Sequence, residues 1–305
     1  MEQSTHPALR ASPPLDRAAS GLGRPDSADT APQAALADFL ARHPRLLVLT
    51  GAGCSTESGI PDYRDANGDW KRPQPVTFQA FTGDPATRRR YWARSLLGWA
   101  TMAQARPGAA HQALARLEAA GHVELLLTQN VDGLHQAAGS RRVVDLHGRI
   151  DTVVCLGCGA RSPRAGLQQR LAALNPAFAQ LSAGAAPDGD ADLEQADFSA
   201  FQVPDCPHCG GLLKPDVVFF GESVPRERVA AAMAALARAD ALLVAGSSLM
   251  VYSGYRFALA AAEQGRPIAA VNLGRTRADA LLALKVEASC GEALAALARL
   301  DASTL

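Results

Sequence analysis

Four cysteines in this chain are spaced like the ligands of a metal ion. Cys155 and Cys158 form one C-x-x-C pair, and Cys206 and Cys209 form a second. Two such pairs are typical of a tetrahedral zinc site, and four thiolates leave no open position for a reacting water. The sequence therefore predicts a structural zinc ion. A redox-active cysteine pair, or a site in which His208 replaces one cysteine, are the alternatives.

A glycine-rich run directly follows the first predicted strand, Leu46–Thr50. Gly51 and Gly53 lie in this run, where the lack of side chains lets the backbone approach a pyrophosphate. A helix beginning just after the glycines would offer its free N–H groups to the same ligand. The spacing departs from G-x-G-x-x-G because the next glycine is Gly59. An ordinary glycine turn after a strand is the alternative interpretation.

Polar side chains follow two further predicted strands. Asn130 and Asp132 come just after Val123–Thr128, and His147 follows a strand predicted at residues 143–146. Ligand sites of open α/β sheets gather at such strand ends. An amide and a carboxylate can bind the polar groups of a ligand, and an imidazole with the ordinary pKa of about 6.5 can accept a proton near neutrality. The alternatives are that Asn130 and Asp132 only form a turn after the strand, and that His147 is a surface histidine at a turn.

Predicted strands alternate with predicted helices along most of the chain. Further strands are predicted at Ala241–Ala245 and at residues 267–272, with a β-branched and aromatic run at 217–220. The spacing of apolar residues predicts helices at 34–42, 87–99, 111–120, 226–239 and 254–264. This alternation predicts an α/β fold, with an open parallel sheet covered on both faces. The cysteine-bearing segment interrupts the alternation, so we expect it to be a small inserted module.

Composition and charge exclude several classes of protein. The chain has 305 residues, 48% of them apolar, and its 30 basic residues balance 30 acidic ones. A nucleic-acid-binding or anionic-membrane-binding protein would carry a basic excess, so neither partner is expected. No apolar run approaches the roughly 18 residues of a membrane-spanning helix. The sequence predicts a globular protein of about two domains.

The N-terminal segment differs in composition from the rest of the chain. Residues 1–35 are rich in Pro, Ala and Ser, and they mix acidic with basic side chains. They fit neither a secretory signal nor a mitochondrial transit peptide. We therefore expect a disordered tail on a cytoplasmic protein. A main domain is expected at 36–150 and 213–300, with the zinc module inserted at 151–212 and a surface loop within it at 187–195.

Five stretches of the sequence resemble those of the sirtuins, the NAD-dependent protein deacylases. They occur in the family's order at residues 55–64 (STESGIPDYR), 128–132 (TQNVD), 147–148 (HG), 214–222 (KPDVVFFGE) and 246–249 (GSSL). The resemblance covers roughly residues 40–295 and implies the sirtuin fold, a Rossmann-like parallel-sheet domain with an inserted zinc-binding module. Three shorter stretches, at 91–94 (YWAR), 251–256 (VYSGYR) and 290–292 (CGE), resemble the class II branch, which includes mitochondrial sirtuin 4 of animals.

The resemblance implies an NAD site at the strand ends. The residues that it places there are Gly51, Ala52, Gly53, Ser55, Thr56, Glu57, Ile60, Pro61, Asp62, Tyr63, Arg64, Thr128, Gln129, Asn130, Val131, Asp132, Gly246, Ser247, Ser248, Asn272, Leu273, Gly274 and Cys290. Residues 60–64 would form a flexible cofactor loop, in which Tyr63 stands where many sirtuins have phenylalanine. Residues 272–274 and the backbone at Cys290 would contact the adenosine.

Catalytic roles are implied by the same resemblance. His147 would be the general base that activates a ribose hydroxyl. Gln129, Asn130 and Asp132 would line the nicotinamide and ribose pockets. His135, by contrast, is expected to be structural.

Substrate roles follow from two other stretches. Val218 and Phe219 would line a tunnel for the acyl-lysine stem, and the substrate peptide would pair with this stretch as an added strand. A plain core strand is the alternative. Tyr91 and Arg94 lie three residues apart, so on a helix they share a face, and a hydroxyl with a guanidinium can bind a carboxylate. A structural helix face is the alternative there.

The predicted activity is NAD-dependent deacetylation or deacylation of protein lysine. The acyl group would pass from lysine to ADP-ribose with release of nicotinamide, and one structural zinc ion would be present. Acylated lysine side chains of proteins would be the partners. Protein mono-ADP-ribosylation and lipoamide hydrolysis are the alternatives, and an NAD-sensing module without catalysis is a further one.

Overall fold

A computed structural model describes residues 30–71, 74–181 and 197–302 of the chain. Most of the predicted tail and the predicted surface loop at 187–195 lie outside these ranges. The first helix, α1, spans Thr30–Arg42 and so begins four residues before the predicted start at residue 34.

Six parallel strands form the main sheet, in the order β3-β2-β1-β7-β8-β9. Their bounds are β1 Leu46–Thr50, β2 Val123–Thr128, β3 Val143–Asp145, β7 Ala241–Ala245, β8 Ile268–Val271 and β9 Leu284–Val286. The order reverses direction between β1 and β7, where Thr50 pairs with Ala245. In sheets of this kind, ligands bind in the crevice at that reversal.

Helices cover both faces of this sheet. Besides α1, the α-helices in the described residues are α2 Phe78–Gly83, α3 Pro85–Gln104, α4 Ala109–Ala119, α5 Leu134–Ala137, α6 Arg164–Leu174, α7 Pro176–Ala179, α8 Arg226–Arg238, α9 Tyr252–Glu263 and α10 Cys290–Ala302. In β1, Val48 packs with α1, α4 and α10, whereas Leu47 and Leu49 pack with α8 and α9. Because both of their faces are buried, the central strands β1, β7 and β8 are nearly continuous apolar runs, which the sequence predicts well.

A second, three-stranded antiparallel sheet carries the cysteines. It consists of β4 Gly148–Cys155, β5 Arg161–Pro163 and β6 Leu213–Val217, in the order β5-β4-β6. Trp92 of α3 is completely buried in a cluster with Phe81, Leu167 and Phe201 beside this sheet. Helices α2 and α3 therefore pack with the cysteine-bearing segment, although they precede it in the chain.

Long helix α3 is held at its start by a side-chain cap. Asp84 accepts hydrogen bonds from the backbone N–H groups of Ala86 and Thr87, each at 3.0 Å, and Pro85 occupies the first helical position. An aspartate cap followed by proline satisfies donors that have no partner within the helix. This start orients the face of α3 that carries Trp92.

One strand differs from its prediction. The run 217–220 is apolar, but β6 spans Leu213–Val217 and includes Lys214 and Asp216. Only Phe220 makes a further bridge, with Thr77. Lys214 is buried because Glu222 pairs with it, and that pairing depends on contacts a strand pattern does not reveal.

No helix within the described residues is long and apolar enough to cross a bilayer.

The apolar stripe of α4 gives a test of the packing. Leu114 is completely buried between α4 and the sheet, so Leu114→Ala is expected to lower the free energy of unfolding by about 2–5 kcal/mol. Leu174→Ala, at a helical leucine that is 41% exposed, is the matched control and should cost about 1 kcal/mol or less. Urea denaturation measures both. Equal losses would contradict this packing.

Candidate active site

Two glycine-containing loops meet at the crevice between β1 and β7. The N–H of Gly51 donates to the Ala245 carbonyl at 3.0 Å, and the N–H of Gly53 donates to the Gly246 carbonyl at 2.9 Å. A Cβ added to Gly53 would lie 2.8 Å from the Gly246 Cα, so a side chain there would force the loops apart. The predicted helix after Gly53 is absent: two 3-10 turns, Ala52–Cys54 and Thr56–Ser58, follow instead.

Asn130 and Asp132 are tied to the first of these loops. The Asn130 Nδ2 donates to the Gly51 carbonyl at 3.0 Å and to the Ser55 Oγ at 3.1 Å. The Ser55 hydroxyl in turn donates to an Asp132 carboxylate oxygen at 2.7 Å, and the other oxygen accepts from the N–H of Leu134 at 2.9 Å. These bonds fix an amide and a carboxylate at the end of β2.

Gln129 joins the β2 end to the β7 end. Its Nε2 donates to the Ser247 Oγ at 2.7 Å, and the same oxygen accepts from the N–H of Leu249 at 3.2 Å. Leu249 has φ 55°, in the left-handed region that a leucine rarely adopts. Strain of this kind costs about 1–3 kcal/mol and is found at ligand sites.

A buried polar network lies behind these residues. The His135 ring contacts the Thr50 Oγ1 at 2.9 Å, and the Thr50 hydroxyl donates to the Thr128 Oγ1 at 2.9 Å. Burial, with a smaller effect of neighbouring His111, lowers the pKa of His135 to about 3. A neutral, enclosed histidine supports the structural role expected for His135.

His147 projects from the turn after β3. Its Nδ1 lies 3.0 Å from the Gln129 carbonyl, which can only accept, so Nδ1 carries the proton. Burial, with smaller effects of Arg228 and Arg256, lowers the pKa of His147 to about 4. The imidazole is therefore neutral at pH 7, and its Nε2 carries a lone pair that can accept a proton or a hydrogen bond. Gly148 follows with φ +84°, where an added Cβ would lie 2.0 Å from the Asp216 carbonyl.

The loop after Ile60 folds over the glycine loops. Arg64 donates to the Gly68 carbonyl at 2.7 Å, and its guanidinium lies 3.9 Å from the centre of the Trp70 ring. Tyr63 meets Trp70 edge-on, and Lys71 pairs with Asp62 at 2.5 Å. Trp70 thus anchors this loop, and sequence reasoning did not single it out.

Asn272 and Leu273 lie at the β8 end of the crevice. The Asn272 Nδ2 donates to the Leu273 carbonyl at 3.1 Å and to the Gly274 carbonyl at 3.3 Å. Leu273 is 64% exposed. Gly274 packs against the backbone of Ala66 and does not itself line the crevice.

Val218 and Phe219 directly follow β6, and their backbone lies beside His147. The N–H of Val218 donates to the His147 carbonyl at 2.8 Å. The N–H of Phe219 donates to Glu222 at 2.9 Å, and the Lys214 ammonium holds the same carboxylate at 3.1 Å. Tyr91 packs its buried ring 5.3 Å from that of Phe219.

These groups surround one cavity of about 720 Å³. Among the residues proposed from sequence, those that line it are Gly51, Ala52, Gly53, Ser55, Thr56, Ile60, Asp62, Tyr63, Arg64, Tyr91, Gln129, Asn130, Val131, Asp132, His147, Val218, Phe219, Gly246, Ser247, Ser248, Asn272, Leu273 and Cys290. Glu57, Pro61, Arg94, Thr128 and Gly274 are not among the described residues of its wall. Within the predicted carboxylate-binding pair, the cavity thus meets Tyr91 but not Arg94.

The four predicted zinc ligands come together at one end of the β4–β6 ladder. The sulfur atoms of Cys155, Cys158, Cys206 and Cys209 all lie within 4.8 Å of one another. Two of the distances are 3.4 and 3.9 Å. A zinc ion with about 2.3 Å bonds to sulfur needs sulfur atoms about 3.8 Å apart, so the cluster fits zinc. His208 is exposed and outside the cluster.

Comparison with known proteins decides the family. The model of the Sir2 family matches residues 51–253. The chain belongs to the Sir2 family. It is 66% identical over 262 residues to NAD-dependent protein deacetylase 2 of Bradyrhizobium diazoefficiens, covering 86% of this chain and 96% of the relative. It is 52% identical over 274 residues to NAD-dependent protein deacetylase 1 of Streptomyces coelicolor, covering 90% of each.

Solved Sir2 structures share the fold. One, with a deacetylated p53 peptide and 3′-O-acetyl ADP ribose, has a TM-score of 0.71 at 32% identity and covers 88% of this chain and 98% of its own. A Sir2 homologue in complex with NAD has a TM-score of 0.68 at 31% identity, and the match covers 89% of this chain and 94% of the homologue. The predicted sirtuin fold, a parallel Rossmann-like sheet with a four-cysteine cluster that fits a zinc module, is confirmed.

Several residues of this Sir2 site escaped the sequence analysis. Trp70, Ser253 and Arg256 line the cavity, and His111 lies behind Ser55 at 3.4 Å. Ser253 and Arg256 lie in the stretch 251–256, which was singled out only as a branch signature. Its position next to the GSSL motif was the available signal.

The cysteine cluster predicts one zinc ion per chain. Cys206→Ser is expected to remove the zinc and to lower the melting temperature, because three thiolates bind a structural zinc ion more weakly than four. Elemental analysis and thermal unfolding measure both effects. His208→Ala is the control and should keep the zinc. Loss of zinc from His208→Ala, or wild-type protein without zinc after reducing purification, would contradict the four-cysteine site.

Histidine burial predicts how stability depends on pH. The pKa of His135 is about 3 in the folded protein, below the value of about 6.5 in the unfolded chain. Between these two pH values, His135 is protonated in the unfolded chain and neutral in the folded protein. Stability therefore falls as pH falls through this window, by up to about 1.4 kcal/mol per pH unit.

Urea denaturation from pH 4.5 to 8 measures this dependence. His135→Asn should show a shallower slope than the wild type below pH 6. Above pH 7 the two slopes should agree, because the histidine is neutral in both states. Equal slopes below pH 6 would contradict a neutral buried His135.

Proposed function

We propose that this protein is an NAD-dependent protein lysine deacetylase. The observation that carries the proposal is the environment of His147. A neutral imidazole with a fixed tautomer faces the same cavity as Asn130, Asp132 and the two glycine loops. Relatives at 66% and 67% identity that bear this activity in their names support it.

NAD fits the cavity from the glycine loops to the end of β8. Gly51, Gly53 and Gly246 present backbone without side chains, which suits a pyrophosphate. Asn272 and Leu273 are proposed to hold the adenosine, and residues 60–64 to cover the cofactor. When bound, NAD supplies an ADP-ribosyl group whose nicotinamide is the leaving group. A cavity of about 720 Å³ is within the usual range for such ligands.

The residues of the chain supply binding and proton transfer. Asn130 and Asp132 are held rigidly by Ser55 and the Gly51 carbonyl, so they can bind the carboxamide and the ribose hydroxyls with little reorganisation. His147, neutral at pH 7, can accept the proton of a ribose hydroxyl at Nε2. The apolar wall of Val218 and Phe219 excludes water from the reacting centre.

The substrate side is proposed to take an acylated lysine. The ion pair between Lys214 and Glu222 fixes the backbone of residues 217–222 beside His147, where an extended peptide can add as a strand. The solved Sir2 enzyme with a deacetylated p53 peptide supports a protein substrate. Tyr91 can contact the acyl chain from the cavity wall, whereas Arg94 is not among the described residues of that wall.

The sequence patterns also support proposals about the sirtuin branch, the domain boundaries and the cellular compartment of the protein. The stretches 91–94, 251–256 and 290–292 favour the class II branch of the sirtuins. We propose the main domain at 36–150 and 213–300 and the zinc module at 151–212. A cytoplasmic location is supported by the cysteines, because four thiolates gathered for a metal suit a reducing compartment.

Nicotinamide release from NAD tests the function. With a panel of acyl-lysine peptides, the wild type should release nicotinamide only when a peptide is present, and the best peptide identifies the acyl group. His147→Ala should lower the rate by about 10²–10⁴-fold, the contribution of a general base. His122→Ala, at a histidine outside the cavity wall, is the control.

Product mass separates the competing functions. O-acyl-ADP-ribose supports deacylation, including removal of lipoyl groups, whereas label transferred to protein without peptide supports mono-ADP-ribosylation. NAD binding without nicotinamide release, whether or not any of the peptides is present, would contradict both enzymatic activities and leave an NAD sensor.

A further inference from the structure

Ser253 lies against the atom of His147 that must receive the proton. It is the second residue of α9, and it lines the cavity together with His147. The Ser253 Oγ is 2.8 Å from the His147 Nε2. This is a short, direct contact between a hydroxyl and the proposed base.

The direction of this hydrogen bond follows from the other ring nitrogen. Nδ1 of His147 donates to the Gln129 carbonyl at 3.0 Å, so in the neutral ring Nε2 has no hydrogen. The hydroxyl of Ser253 must therefore donate to Nε2. The ring is held at both nitrogens by groups on different elements, the end of β2 and the start of α9, and cannot rotate freely.

After donating to His147, the Ser253 oxygen can still accept hydrogen bonds. A hydroxyl oxygen has one donor hydrogen and two acceptor lone pairs. Within the described part of the chain, the Ser253 Oγ has His147 as its partner and accepts no other hydrogen bond. Its lone pairs are therefore available to a hydroxyl group that enters the cavity.

We propose that Ser253 relays the proton of an NAD ribose hydroxyl to His147. The substrate O–H bond breaks as a new O–H bond forms at the Ser253 Oγ. The original Ser253 O–H bond breaks as an N–H bond forms at Nε2. Serine ends the step neutral with one hydrogen, the imidazole carries the positive charge, and the ribose oxygen keeps the electron pair of its broken O–H bond. The proposal rests on the deacetylase function proposed above.

Kinetics of serine variants test the relay. Ser253→Ala is expected to lower kcat at least about tenfold, a part of the about 10²–10⁴-fold that general-base catalysis supplies. KM for NAD and for peptide should stay within about twofold, because a group that acts only in the proton transfer does not alter substrate binding. Ser253→Thr keeps a hydroxyl and should restore most of kcat. Ser162→Ala, on the exposed strand β5, is the matched control.

A measurement on the free protein tests the hydrogen bond itself. In ¹⁵N NMR of the histidines, the wild type should show the Nδ1–H tautomer of His147 with a hydrogen-bonded Nε2. Ser253→Ala should move the Nε2 resonance, while the Nδ1 resonance should stay in place because the Gln129 carbonyl remains. An Nε2 resonance that does not respond to Ser253→Ala would overturn the proposal.

The kinetic outcomes separate the relay from the deacetylase function. If the wild type is active and Ser253→Ala keeps or exceeds its kcat, then His147 takes the proton directly and only the relay fails. If Ser253→Thr is as slow as Ser253→Ala, the hydroxyl is not the cause and the relay also fails. If the wild type releases no nicotinamide with any acyl-lysine peptide, the deacetylase function fails and the relay falls with it.

Discussion

The close backbone contact between the end of β1 and the end of β7 is the constraint on which the cavity depends. Gly53 donates to the Gly246 carbonyl at 2.9 Å, and the loops have no room for a Cβ between them. The two strands are distant in sequence but adjacent in the sheet, at the point where the strand order reverses. Because the loops diverge from this contact, a crevice opens above it. Asn130 enters the crevice by bonding to the Gly51 carbonyl.

A histidine that serves as a base at neutral pH needs a neutral ring and a fixed tautomer, and the fold provides both through neighbouring elements. The Gln129 carbonyl fixes the tautomer, and burial keeps the ring neutral. Gln129 itself is held by Ser247, at the end of β7. The orientation of the base therefore depends on the same β2–β1–β7 adjacency that forms the crevice.

The sequence predicts the central elements and misses the peripheral ones for physical reasons. β1 and β7 are completely buried, and their apolar runs identify them. β6 is harder to recognise, because Lys214 becomes compatible with burial only through Glu222, after the strand has ended. Likewise β9 is three residues long, and Lys285 in it pairs with Asp279. Such partners are set by tertiary structure.

Motif spacing located most of the candidate site, while contacts between motifs remained hidden. The glycines, Asn130, Asp132 and His147 stand at strand ends that a pattern can predict. Ser253 meets His147 only because α9 begins beside the turn after β3. A sequence gives no measure of that distance. The same holds for Arg94, which shares a helix with Tyr91 but does not reach the described cavity wall.

The β4–β6 ladder links the metal cluster to the proposed base. β4 begins at Gly148, immediately after His147, and ends at Cys155, one of the four proposed zinc ligands. β6 begins shortly after Cys209 and ends at Val217, where the substrate-facing segment starts. Gly148 pairs with Val217 at one end of the ladder, and Cys155 pairs with Leu213 at the other. A bound zinc ion would therefore clamp one end of a short antiparallel ladder whose opposite end carries the base and the substrate wall. Closing one end of this ladder with a metal would restrict the separation of the two strands along its length. A metal bound at the cysteines would therefore act on the proposed base and on the substrate wall through the pairing of β4 with β6.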